Sequence, residues 1–378
     1  MTQIVISGSG LWTPEQSISN EELVASYNAY ADKFNTENAR AITAGEIEQK
    51  PFSSAAFIEK ASGIKSRHVY TREGILDLDR MRPLIPERPP GELSYQAEMG
   101  IWAAEKALAS ANLTPSDIDV VIVSCAYTQR SYPAIAIEIQ RKLGIRGHAY
   151  DMLVACSAAT FALCNAVDMV KAGSAKRVLV VNPELVTPQV NYCSRDSHFI
   201  FGDVATATII ESIETHQTNY VFEVLDTAAI TWFSGNIRSD FGYMSRVADT
   251  DPFAADKLFY QEGRKVFKEL CPMVIVHLKK QLEKLSLGAK DIRRWWFHQA
   301  NINMNEFVAK KLLGRMPENS EAPIVLDTYA NTASAGSLIA FNLYREDLEH
   351  GDLGVLCSFG AGYSIGSLFL RRLDKMAS

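Results

Sequence analysis

The 378-residue chain carries one long pattern twice, and that duplication limits its fold more than any other feature. Residues 113–123, LTPSDIDVVIV, resemble 287–297, LGAKDIRRWWF, 174 positions later. Residues 150–159, YDMLVACSAA, resemble 326–335, LDTYANTASA, 176 positions later. Each copy continues into a helical stretch, a glycine (Gly173 or Gly351) and an apolar strand, RVLVV or GVLCS. A repeat of roughly 175 residues is far longer than a solenoid unit. It implies a duplicated α/β domain, with halves 1–215 and 216–378. Two sheets with helices on their faces and a shared pair of buried helices would cover the apolar runs of both copies.

Local patterns agree with this. Ala97, Ile101, Ala104, Leu108 and Ala111 recur at helical spacing. Val120–Val123 is a continuous apolar run, as in a strand covered on both faces. The segment after Cys156 is apolar on nearly all sides, which places a helix at the centre of the protein. Ser19 or Asn20 is a helix cap before Glu21 and Glu22. Gly8 and Gly10 lack the lysine of a phosphate loop and read as a plain turn. Residues 30–56 are polar and unpatterned, and 71–94 hold Pro83, Pro86, Pro89 and Pro90. The second stretch can be neither a regular helix nor a central strand, so it runs over the surface.

Several function classes are excluded. A net charge of −6 argues against a nucleic-acid binder. No apolar run approaches the roughly 18 residues of a membrane helix. No secretory leader precedes QIVISGSG, so the expected location is cytoplasmic. The six cysteines are scattered without a C-x-x-C pair, so neither a metal site nor a disulfide framework is expected.

Cys156 stands between a strand and the buried helix, where backbone N–H groups favour a thiolate and small neighbours (Ser157, Ala158, Ala159) admit a substrate. In the second half Asn331 and Thr332 occupy the equivalent corner, and His298 ends the strand WWF. Open α/β sheets bind ligands at such strand ends. A pseudo-twofold arrangement would bring His298 and Asn331 to Cys156. A Cys-His-Asn set also serves cysteine hydrolases. The duplication and the apolar setting of Cys156 argue against that reading.

The segments DMLVACSAA, HQAN, YANTASAG and SFGAG, with FGD at 201–203 and SGIKSRH at 62–68, resemble β-ketoacyl-acyl carrier protein synthase III. That family belongs to the thiolase superfamily of condensing enzymes. The resemblance implies a thiolase-like α/β fold of five layers, αβαβα, acting as a homodimer. It implies that Cys156 takes an acyl group from acyl-CoA, and that His298 and Asn331 hold the malonyl thioester during decarboxylative condensation. The oxyanion donors would be the backbone N–H groups of Cys156 and Ala361, the latter commonly glycine in the family. No metal or cofactor is implied beyond the acyl-CoA and malonyl-acyl carrier protein substrates. Hydroxymethylglutaryl synthases place a glutamate after the strand equivalent to Val121–Val123, where this chain has Ser124-Cys125-Ala126-Tyr127. A polyketide-type or malonyl-CoA-using condensing enzyme is the alternative within the superfamily.

The same resemblance implies substrate contacts at Phe57, Lys60, Tyr132, Phe201 and Phe359. Phe57 and Ala61 stand where the family often has the tryptophan and arginine that bracket adenine. Tyr132 matches an aromatic position that crosses the dimer interface to floor the acyl pocket. With the long segments 30–56 and 71–94, this suggests a primer longer than acetyl, such as a medium-chain acyl group. Lys310 and Lys311, with Arg315 nearby, match residues that dock the acidic carrier protein, while a further family arginine is Asn303 here. Replacing Lys310 and Lys311 by Glu is expected to weaken use of malonyl-carrier protein in steady-state assays, and added salt should mimic the loss in the unsubstituted protein.

Overall fold

The computed structural model describes residues 2–89, 91–252 and 254–374, so Pro90 of the proline-rich stretch lies outside the described residues. Among the described residues nine strands join into one sheet. They are β1 (Ile4–Trp12), β2 (Val120–Cys125), β3 (His148–Leu153), β4 (Arg177–Glu184), β5 (Val204–Ser212), β6 (Tyr220–Ser234), β7 (Ile292–Phe297), β8 (Leu353–Gly360) and β9 (Gly362–Asp374). The principal helices are α1 (Asn20–Glu37), α2 (Ala55–Ser62), α3 (Tyr95–Ala111), α4 (Ile135–Leu143), α5 (Ala158–Lys171), α6 (Gly263–Leu285), α7 (Ile302–Leu313) and α8 (Gly336–Leu343). No helix among the described residues is long and apolar enough to cross a membrane.

The sheet order is β7-β8-β9-β6-β1-β5-β4-β2-β3. One hydrogen-bonding pattern occurs twice. β2 pairs β4 in parallel, and β4–β5 and β5–β1 are antiparallel. Likewise β7 pairs β8 in parallel, and β8–β9 and β9–β6 are antiparallel. The copies meet where β1 pairs with β6, Val5 opposite Glu223 and Ile6 opposite Phe222.

Side-chain alternation sorts each strand between two cores. Val120, Ile122, Val178 and Val180 face a central core, where they meet α5 and α8. Val121, Val123, Leu179 and Val181 face α3 and α4 on the outside. In the second copy Trp296 and Leu356 enter the central core, and Trp295, Phe297, Val355 and Cys357 pack under α6 and α7. Five layers result: outer helices, sheet half, shared helices, sheet half, outer helices. Trp295 and Trp296 are both fully buried, on opposite faces of β7. A buried indole removes roughly 200 Å² from water, a gross gain of about 5 kcal/mol.

Three local expectations change. Gly8 and Gly10 lie within β1 rather than in a turn. A β-carbon at Gly10 would sit 2.1 Å from the carbonyl oxygen of Ala103, so the glycines let α3 lie directly on the strand. Segment 30–56 is partly helical, because α1, capped by Ser19 with a reciprocal bond to Glu22, runs on to Glu37. Its polar residues face solvent, which hid the helix from a pattern search. The strand-to-helix corners also match at a different spacing. The turns Ala155–Ser157 and Ala333–Ala335 precede α5 and α8, and each opens on an alanine of positive φ, 43° and 47°. The corners are therefore 178 residues apart, and Cys156 corresponds to Ser334 rather than Thr332. The reason is local: the second copy has a short helix, Leu326–Tyr329, where the first has β3.

Substituting Gly10→Ala is expected to lower stability by about 3 kcal/mol, read as a fall in the midpoint of urea unfolding without a change in slope.

Candidate active site

Cys156 lies in the turn Ala155–Ser157 at the carboxyl end of the sheet, two residues before α5. Its β-carbon would lie 2.6 Å from a β-carbon at Gly360, the last residue of β8. Glycine is required there because the chain runs against the nucleophile. The loop beyond β8 is tied to the same turn. Ser157 Oγ donates to the carbonyl of Ser364 (3.1 Å), and Ser364 Oγ donates to the carbonyl of Ala361 (2.8 Å). Ala361 does not take a positive φ, so alanine is tolerated where the family commonly has glycine.

His298 follows β7, and its backbone N–H bonds to the carbonyl of Cys357 on β8 (2.8 Å). Its ring meets Phe359 edge-on, with centroids 5.5 Å apart. Phe359 and Gly360 are adjacent on β8, so one strand end touches both His298 and Cys156. The imidazole is buried, and its Nδ1 has no hydrogen-bond partner among the described residues. Asn331 precedes the turn Ala333–Ala335, which packs on the turn carrying Cys156. Asn331 Oδ1 accepts from the Ala333 N–H (2.9 Å), which leaves Nδ2–H as a free donor. The backbone of Asn331 is held by Ile200 and Gly202 and forms a bridge with Phe201. Phe201 is buried against Phe259.

Burial dominates the electrostatics. It pushes the Cys156 thiol up to about 12, and the Glu184 carboxylate adds to the rise. The N–H groups of Ala361 and Cys156 act in the opposite direction but do not prevail. Desolvation at this corner therefore works against the thiolate that the helix start favours. α5 starts two residues later, and desolvation outweighs the donors at its start. Burial also pulls His298 down to about 4, so its ring is neutral near pH 7 and can act as an uncharged N–H donor.

Sequence reasoning missed Glu184, the last residue of β4, which is fully buried at the same corner. Ala126 N–H donates to its carboxylate at 3.1 and 3.2 Å, Ser334 N–H donates at 3.0 Å, and Ser334 Oγ–H donates to the same oxygen. A carboxylate closing an apolar strand, RVLVVNPE, is the signal that could have marked it. Asp203 of FGD accepts from the N–H groups of Val186 (2.8 Å) and Thr187 (2.9 Å), holding the chain directly after Glu184.

A cleft of about 680 Å³ opens beside the corner, lined by Phe57, Phe199, Ile200, Lys268, Asn301 and Asn303. Arg195 lays its guanidinium over Phe57, 3.6 Å from the ring centre. This contact joins residues far apart in sequence and had no local signal. Lys60 and Ala61 are exposed at the end of α2, next to this mouth. Lys310 and Lys311 are exposed on α7, whereas Arg315 is occupied by a two-pronged pair with Glu321 (2.7 and 2.6 Å). Tyr132 is 84% exposed and stands apart from the corner within one chain.

Comparison with known proteins supplies the family. Residues 150–228 match the family described as 3-oxoacyl-[acyl-carrier-protein (ACP)] synthase III, and 282–372 match its C-terminal counterpart. The chain is 50% identical over 347 residues to a β-ketodecanoyl-[acyl-carrier-protein] synthase of Pseudomonas aeruginosa, covering 92% of this chain and 99% of that protein. The chain belongs to the β-ketoacyl-acyl carrier protein synthase III family. A synthase III of Rhizobium meliloti is 30% identical, over 88% of this chain and 95% of its own. The solved structure of a synthase III from Aquifex aeolicus superposes with a TM-score of 0.75 at 22% identity, covering 97% of this chain and 99% of that one. That likeness extends the thiolase-like architecture to the whole chain. Synthase III enzymes transfer acyl groups in a condensation, and the Cys156, His298 and Asn331 segments of this chain meet at one end of its sheet.

The pH dependence of Cys156 follows from the desolvation of its half-buried thiol. Its alkylation by iodoacetamide should climb steadily from about pH 7 to about pH 10 without a plateau. A plateau near neutrality, measured by intact mass, would show a stabilised thiolate instead.

Proposed function

We propose that the protein condenses a medium-chain acyl-CoA with malonyl-acyl carrier protein, giving a 3-oxoacyl-acyl carrier protein for fatty acid synthesis. The observation that carries this reading is the strand end Phe359–Gly360, which touches the His298 ring and the Cys156 side chain at once. Cys156 Sγ attacks the acyl carbonyl, the carbon–sulfur bond to the donor breaks, and the thiol proton passes through neutral His298 to the departing thiolate. The N–H groups of Cys156 and Ala361 receive the oxyanion. When malonyl loses carbon dioxide, negative charge collects on the thioester oxygen. The His298 N–H and the Asn331 amide are uncharged donors placed to receive it in a dry corner. The resulting carbanion attacks the acyl carbonyl, the carbon–sulfur bond to Cys156 breaks, and Cys156 leaves as a thiolate that takes up one proton from solvent to return to the resting thiol. The scheme needs no metal or cofactor.

Medium-chain preference is supported by the relative named for β-ketodecanoyl and by a cavity of about 750 Å³ behind Tyr127 and Leu185. Segments 30–56 and 71–94 supply part of its wall, through Tyr30, Lys50, Met81 and Pro83. An exposed edge strand, β3, with Leu153 and Tyr132 beside it in solvent, supports a homodimer in which Tyr132 reaches the partner's acyl pocket. The Arg195–Phe57 stack is a fitting place for an adenine ring at the mouth, with Lys60 beside it. Lys310 and Lys311 are the docking cations, and Arg315 shapes that face through Glu321. The chain divides functionally near residue 215, with the nucleophile in one half and the two donors in the other. A cytoplasmic setting suits these substrates.

Incubation with acyl-CoAs of two to twelve carbons, followed by intact mass spectrometry, tests the reading. A covalent acyl adduct should form fastest near octanoyl-CoA and be absent from Cys156→Ala. Faster labelling by acetyl-CoA would overturn the medium-chain preference. No adduct from acyl-CoAs or acyl-carrier proteins would overturn the synthase reading.

A further inference from the structure

The pseudo-twofold relation between the halves assigns a partner to every residue at the catalytic corner. Cys156 corresponds to Ser334 through the turns before α5 and α8. Glu184 and Gly360 correspond as the last residues of β4 and β8. In the first half Gly360 lies against Cys156 and presents no side chain to it. In the second half the equivalent position carries a side chain, and the Glu184 carboxylate accepts from both the N–H and the Oγ–H of Ser334. The same carboxylate accepts from the Ala126 N–H at the end of β2. One side chain thus clamps a strand end of the first half to the turn that positions Asn331 in the second.

We propose that Glu184 is a positioning residue for the condensation, fixing the Asn331 corner against the Cys156 corner through Ala126 and Ser334. This rests on Cys156, His298 and Asn331 acting as set out above. The path is short. Ser334 and Ala333 belong to one turn, and the Ala333 N–H holds Asn331 Oδ1 (2.9 Å). Loosening the turn would therefore displace the Asn331 donor while leaving the Cys156 turn on its own bonds to Ser364. A shift of about 1 Å in such a donor is enough to slow a reaction up to a hundredfold. A role as acid or base is disfavoured, because three donors already occupy the carboxylate in a fully buried site. Cys156, Cys125, Tyr127 and Asp203 face it electrostatically, and among them the charge of Glu184 raises the Cys156 thiol.

Two variants of the whole enzyme test the assignment, Glu184→Gln and Ser334→Ala, each checked for folding by thermal denaturation. Three readouts are compared with the unsubstituted protein: acylation of Cys156 by octanoyl-CoA, condensation with malonyl-acyl carrier protein, and the pH profile of iodoacetamide alkylation. Glu184→Gln should acylate within about threefold of the parent but condense at least about tenfold more slowly. Its alkylation profile should move to lower pH, since a negative charge beside the thiol is gone. Ser334→Ala should lower the condensation rate and move the alkylation profile less than Glu184→Gln does, because the carboxyl group stays beside the thiol although it loses the hydroxyl donor that opposes its rise to about 7. Parental condensation rates in both variants would overturn the proposal, as would equal losses of acylation and condensation in Glu184→Gln. If Glu184→Gln does not fold, unchanged condensation in Ser334→Ala is decisive against it. Failure of the unsubstituted protein to acylate would instead strike the synthase reading itself.

Discussion

Everything at the catalytic corner depends on two helices being buried between two half-sheets. α5 presents Ala159, Ala162 and Ala166 to the central core, and α8 presents Leu338, Ile339, Ala340 and Phe341. Small side chains on α5 let the halves approach closely, while Phe222, Trp296 and Phe341 fill the remaining volume with ring centroids 5.0 to 6.0 Å apart. Interiors packed in this way transmit displacement instead of absorbing it. The turns before the two helices are consequently fixed relative to each other, and those turns carry Cys156 and the support for Asn331.

Burial also sets the chemistry. The same apolar surroundings that stabilise the halves remove water from the thiol and the imidazole, raising one and lowering the other. A protonated thiol and a neutral imidazole give a resting site without net charge on its reacting groups. In the proposed mechanism, backbone N–H groups and the amide of Asn331 meet charge that develops only during reaction, which is the condition under which fixed donors are most effective. The duplication provides two equivalent corners with different surroundings. Gly360 presents no side chain to Cys156, and Glu184 binds Ser334 in the other.

Family membership and the catalytic segments were legible because they are short, contiguous and located at strand ends. The apolar runs at Val120–Val123 and RVLVV became strands with the expected alternation between cores. The readings that failed had a common cause. Gly8 and Gly10 read as a turn because nothing in their neighbourhood shows that α3 will lie upon them. The end of α1, residues 30–37, shows only Tyr30, Ala31 and Phe34 as apolar residues among polar ones, a face easily overlooked in the sequence. The repeat was misaligned by two residues at the corner, because Leu326–Tyr329 replaces a strand with a helix without any change in hydrophobic pattern.

The sequence by itself determined that the chain is a duplicated α/β protein with a cysteine, a histidine and an asparagine at equivalent strand ends. Period-two and helical patterns are local properties, and a repeat is visible as soon as two segments are compared. Only the tertiary structure decided the protonation of Cys156 and His298, the stacking of Arg195 on Phe57, and the clamp from Glu184 to Ala126 and Ser334. Each of these depends on residues brought together from distant parts of the chain, and on the solvent they exclude when they meet. Desolvation and long-range hydrogen bonding belong to the packed molecule, and no stretch of sequence carries them alone.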